Sequence, residues 1–192
     1  MELTLADAVR WPIDPEEVRL RLSDRAITQL PAVTRRLWRT IAEQPAGSRL
    51  RRWLLTRVFT SGWAAIDDKD WDYVGAFYDP NVVVELSGEG IVFDWGTTHG
   101  WDETRRRLEQ TYEVLFSDQR PFEALDFGGP FCAVRIVAKL TGESSGIAMS
   151  REITIVYEIG REGRVVRQIS SSDPDELEAW LRASARTPTA QG

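Results

Sequence analysis

Between residues 62 and 86 the chain reads GWAAIDDKDWDYVGAFYDPNVVVEL: a helix end, an acidic turn, a second short helix, an Asp-Pro break and an apolar strand. Upstream, Leu50, Leu54, Val58 or Phe59, Gly62 and Ile66 share one stripe of a helix predicted over 48–66, and 70–78 predicts the shorter helix. Asp79-Pro80-Asn81 stops it, because a residue before proline is held away from helical angles. A strand follows over 82–86, a short one around 91–93, and a polar loop over 94–100. Trp101, Leu108, Tyr112 and Leu115 predict an amphipathic helix over 101–116. Strands are then predicted over 122–127, 131–141, 148–159 and 164–172, joined by Gly-containing turns that give antiparallel hairpins. That order predicts an α+β cone: a curved antiparallel sheet wrapped on helices, with an internal pocket.

Residues 15–29 and 32–44 predict two helices broken at Pro31, and Pro45-Ala46-Gly47 ends the second. The chain of 192 residues suits one domain with an appendage. The expected division is a helical extension over 1–48 and the cone over 49–186. Asp173-Pro174 starts a final helix over 177–185, and 187–192 is expected to be a disordered tail.

Hydrophobic residues at 42% and charged residues at 28% match globular usage and give no case for wholesale disorder. No apolar run reaches the roughly 18 residues of a membrane span, and the first thirty residues lack an apolar signal core, so a cytoplasmic protein is expected. The single cysteine, Cys132, sits in the strand pattern FCAVRIVAKL and reads as a small buried hydrophobe. One histidine among scattered carboxylates gives no metal-ligand spacing, and no cofactor is expected.

The first sixty residues hold eleven arginines against seven Asp and Glu, while the whole chain carries −6. Those arginines alternate with Leu37, Trp38, Ile41, Leu50, Trp53 and Leu54, which describes docked helices rather than a nucleic-acid arm. Arg105, Arg106 and Arg107 lie among Glu103, Glu109 and Glu113 at pairing distances along a solvated helix face.

The 62–86 segment, the THG before the third helix of the cone and the ending GRVVRQISSSDPDEL resemble the SnoaL-like polyketide cyclases. These belong to the superfamily named after nuclear transport factor two. The resemblance covers about residues 50–185 and implies the cone fold, a small-molecule ligand and pairing of two copies through the sheet. It is poor for chemistry. The aspartate base, tyrosine and second aspartate of a ketosteroid isomerase would fall on Leu86, Gly62 and Ile155. Of the Asp-Arg-Asp set of a limonene epoxide hydrolase, Arg135 alone is matched; the aspartates fall on Val137 and Ser170, and the water-positioning pair on Val84 and Leu86. The cyclases' histidine and aspartate on the late strands are absent, and scytalone dehydratase needs paired histidines.

Strand alternation gives the expected pocket. If Arg135 points inward, so do Phe131, Ala133, Val137 and Lys139, with Ile153, Ile155, Tyr157, Gln168 and Ser170 on the next strands. Phe59, Trp63, Leu86, Trp101 and Tyr112 complete the expected lining. An inward guanidinium needs an anionic ligand or a carboxylate such as Glu152 or Asp126. Asp94 and His99 share the loop DWGTTHG and form a minimal acid-base unit, so the catalytic candidates are Asp94, His99, Tyr112 and Arg135. The row Cys132, Val134, Ile136, Ala138 and Leu140 is wholly apolar, so something covers it: a second copy, or the N-terminal helices. Two functions stay open at this point. One is an unconventional cyclase or isomerase of polyketide-like substrates; the other is a non-catalytic ligand-binding or dimerisation module.

Overall fold

The computed structural model of the protein describes residues 3–87, 96–142 and 148–186. The strands are β1 (Val9–Pro12), β2 (Tyr78–Leu86), β3 (Gly96–His99), β4 (Leu115–Gly128), β5 (Phe131–Gly142), β6 (Ala148–Ile159) and β7 (Val165–Ser171). The helices are α1 (Leu22–Thr28), α2 (Pro31–Glu43), α3 (Arg49–Asp67), α4 (Trp71–Gly75), α5 (Trp101–Val114) and α6 (Pro174–Arg186). One sheet takes the order β1-β4-β5-β6-β7-β2-β3. Its neighbours are antiparallel except β2 and β7, which run parallel, so the sheet is mixed where a purely antiparallel one was expected. It is curved and unclosed, and with its helices it makes the expected α+β cone.

Local chemistry explains the boundaries. Ser48 caps α3 by accepting the Arg51 amide, and Asp70 caps α4 by accepting that of Tyr73. Pro31 opens α2, where its missing N–H is not needed, rather than breaking a helix. Strand β2 begins at Tyr78 and runs through Asp79-Pro80, with an irregularity between Tyr78 and Val83. The polar loop expected over 94–100 contains β3, whose His99 pairs with Val83. The strand expected at 91–93 and the tail at 187–192 lie outside the described residues. Strand β1, in the segment expected to be helical, is an edge strand paired with β4.

Two apolar layers sandwich the sheet. On the inner side, Cys132, Val134, Ile136 and Ala138 pack with Trp38 and Ile41 of α2 and with Leu54, Leu55, Val58 and Phe59 of α3. On the outer side, Phe131, Ala133, Val156 and Ile169 pack under Leu177, Trp180 and Leu181 of α6. The apolar row of β5 is therefore covered by the chain's own helices, and its facing is the reverse of the one expected. Arg51 is fully buried, whereas Leu50 on the expected stripe is 45% exposed.

Candidate functional site

The inner sheet face and the helices over it enclose a cavity of about 160 Å³. Cross-strand register decides what reaches it. Leu86 pairs with Ser170 and Ser170 with Ile155; in the next row Val84 pairs with Gln168 and Gln168 with Tyr157. Helix α5 adds Trp101, Thr104, Leu108, Thr111 and Tyr112, α3 adds Trp63 and Ile66, and α4 adds Val74.

Of the side chains expected to line a ligand pocket, Trp63, Leu86, Trp101, Tyr112, Ile155, Tyr157, Gln168 and Ser170 surround this cavity. Phe59 lies beside it, stacked on Tyr157 with ring centroids 5.9 Å apart, and lines a smaller second cavity. Arg135 does not join them. It pairs with Thr154 across β6, on the face opposite Ile155, and forms ion pairs with Glu123 at 2.9 Å and Glu152 at 2.6 Å. Glu152 was one of the two carboxylates expected for it; Asp126 instead pairs with Arg51. The physical reason for the outward placement is solvation: 31% of the Arg135 side chain stays exposed, and burial inside an apolar cavity would leave a charge to be compensated.

His99 is exposed on β3, and its amide donates to Glu103 Oε2 at 2.8 Å. Its partner Val83 stands on the face opposite Val84, so His99 is outside the cavity. Asp94 lies outside the described residues. Tyr112 lines the cavity and meets the Trp71 ring edge-on at 5.5 Å.

One wall of the cavity carries a hydrogen-bonded strip. The hydroxyls of Tyr157 and Tyr78 bond to each other, Tyr78 Oη donates to Gln168 Oε1 at 2.6 Å, and Gln168 Nε2 donates to Ser170 Oγ at 3.2 Å. On the α5 side the hydroxyls of Thr98 and Thr104 lie 2.8 Å apart. Tyr78 and Thr104 escaped the sequence reading. Tyr78 was placed at a helix end, and only the pairing of β2 with β7 brings it beside Gln168. Trp101 stacks on Tyr78 at 5.1 Å and packs against Gly75, where any Cβ would strike the indole.

Burial pushes both tyrosine hydroxyls well above their ordinary value and lifts the nearby Cys132 thiol to about 12. At neutral pH the tyrosines are neutral donors, not bases. Among the described lining residues none is Asp, Glu, Lys, Arg or His. No group of acidic, histidine or cysteine side chains that could hold a metal ion occurs among the described residues.

These shifts predict an alkaline weakness. The folded state keeps its protons where the unfolded chain, with ordinary thiol and tyrosine values, gives them up, so the stability is complete below about pH 8 and falls as pH rises. Each buried group should remove about 1.4 kcal/mol per pH unit once its unfolded form ionises. Urea midpoints should be flat between pH 6 and 8 and fall steeply above 10. A midpoint as high at pH 11 as at pH 7 would contradict this.

No protein-family model matches the sequence, and no curated protein matches it. Solved structures share its fold. An NTF2-like protein of unknown function from Burkholderia pseudomallei is 20% identical, with 70% of this chain and 96% of that one aligned at a TM-score of 0.53. TerC, co-crystallised with polyporic acid, is 18% identical, aligned over 65% of this chain and 95% of its own at 0.52. An NTF2-like protein from Burkholderia xenovorans is 17% identical over 66% and 93% at 0.51. Among the described residues no helix is long and apolar enough to cross a membrane. With the curved sheet, the helices over its inner face and the cavity between them, these likenesses show that the chain has the nuclear transport factor 2-like fold.

Proposed function

We propose that the protein binds a small, uncharged, mostly apolar molecule about the size of a single ring, held by the Tyr78–Gln168–Ser170 strip. The observation that carries this is the composition of the cavity wall: apolar side chains, neutral hydroxyls and an amide, with no ionisable carboxylate, imidazole or amine among the described lining residues. A cavity near 150 Å³ lined by apolar side chains is enough for benzene. A few placed polar groups on an apolar wall are the usual make-up of a ligand site.

The SnoaL-like resemblance supports the same reading. Its enzymatic form, a cyclase or isomerase of a polyketide-like substrate, would use Tyr78 or Tyr157 to polarise a ligand oxygen by donation. Binding without turnover fits the neutral wall better, since a hydroxyl that holds its proton this firmly cannot abstract one. An anionic ligand paired with Arg135 has no support, because Arg135 already bridges two carboxylates outside the cavity. A cytoplasmic location and a homodimer through the sheet belong to the proposal; a monomer by light scattering would remove the dimer.

The test is mass spectrometry of what copurifies with the protein. A neutral compound retained by the wild type and by Arg135→Ala, and lost from a folded Ala138→Leu variant that fills the cavity, is the expected result. Loss on Arg135→Ala, or equal retention in Ala138→Leu, would overturn it.

A further inference from the structure

Beside the first cavity lies a second one of about 50 Å³, lined by Trp38, Phe59, Gly62, Phe77 and Val165 and sharing Trp63, Tyr78 and Tyr157 with it. Two of its walls carry indole groups whose Nε1 atoms are buried without a hydrogen-bond partner, those of Trp38 and Trp63. Both residues are almost wholly buried, at 2% and 4% exposure. An unpaired buried N–H is expensive and calls for an explanation. Beside them Gly62 leaves room, since a Cβ there would meet nothing within 4 Å.

We propose that this second cavity is the subsite for a carbonyl oxygen of the bound molecule, accepting from the indole N–H of Trp63, of Trp38 or of both. The inference rests on the ligand-binding reading and specifies its ligand: a single-ring compound bearing a ketone, aldehyde or ester oxygen at one end. The donor set selects that chemistry. A carbonyl oxygen only accepts, and both free groups only donate. Water is the competing occupant: its two hydrogens would have to use the acceptor lone pairs left on the Tyr78 and Tyr157 hydroxyls, which the strip engages as donors. The result is a pair of adjoining cavities, one with a neutral polar strip in its wall and the other walled by two residues whose donors are unpaired.

The probes are cyclohexanone and methylenecyclohexane, which share a ring and differ in the oxygen. Calorimetric titration of the whole protein should give roughly tenfold tighter binding of the ketone, the size of one hydrogen bond to an otherwise unpaired donor. In ¹⁵N-labelled protein the indole N–H signals of Trp63 or Trp38, assigned with Trp63→Phe and Trp38→Phe, should move with the ketone and stay with the alkene. The double Trp→Phe variant should bind both probes alike. Gly62→Ala should fold at least as well as the wild type, since alanine is the better helix residue, and should lose ketone preference by filling the room. Equal binding of the two probes with unmoved indole signals overturns the subsite and leaves the ligand-binding reading standing. Indole signals that keep contact with a long-lived water in the presence of ketone also overturn it. If neither probe binds, both the subsite and the ligand-binding reading are overturned.

Discussion

Gly163→Ala is expected to destabilise the protein by about 3 kcal/mol or more, combining a left-handed backbone penalty of about 1–2 kcal/mol with the cost of overpacking. Gly163 has φ +72° in the turn between β6 and β7, and a Cβ there would run into the carbonyl of Arg35, with its carbon and Arg39 Cγ each 2.9 Å away. The obstacle is mainly backbone of α2, which cannot rotate aside, so the helix itself must retreat from the hairpin. Gly129→Ala separates the two contributions, because Gly129 also has a positive φ of +54° but a Cβ there meets nothing within 4 Å. Denaturant unfolding of both variants should show the smaller loss for Gly129→Ala. Equal losses would mean that α2 does not press on the turn. Because Trp38 of α2 lines the smaller cavity, the same displacement should shift that cavity's wall.

How far the sequence discloses this molecule depends on whether one strand suffices to decide a question. Helix α3 was legible because Leu54, Val58 or Phe59 and Ile66 recur at helical spacing, and β6 because its alternation is largely polar on one side and apolar on the other. Strand β5 was not. Its Cys132-Val134-Ile136-Ala138 face lies under α2 and α3, while the opposite face mixes Phe131 and Ala133, packed under α6, with Arg135 and Lys139. Alternation pointed to the apolar row as the buried one, and taking Arg135 as a ligand group, hence inward, inverted the strand. The pairing settles it: Arg135 faces the same way as Thr154 and Glu123, which a single strand cannot reveal. Strands β1 and β3 have four residues each, too few for a period to register. Trp38 belongs to a helical stripe in the sequence, but its place in a cavity wall depends on where α2 docks.

That docking leads to the second large effect, the loss of Arg51. Arg51 and Asp126 form an ion pair at 2.7 Å with no exposure of either side chain. The guanidinium also donates to the carbonyls of Ile41, Gly129 and Phe131, while Asp126 accepts from the amides of Gly47 and Gly128. One charge pair thus joins the end of α2, the start of α3 and the β4–β5 turn, and each guanidinium nitrogen it brings inside has a partner. A buried pair of this kind gives little net stability against a well-packed apolar substitute, but removing one member strands the other. Arg51→Leu should therefore cost about 3–5 kcal/mol, on the order of 10 °C in melting temperature for a chain of this size. It leaves Asp126 charged in an apolar layer and three carbonyls without donors. Asp126→Leu should cost a similar amount by stranding Arg51, and the double variant should lose clearly less than the two singles together, since neither charge then remains. Denaturant titrations of the wild type and the three variants measure that coupling. Additive losses would show that the carbonyl contacts, rather than the charge pair, hold the N-terminal helices to the sheet.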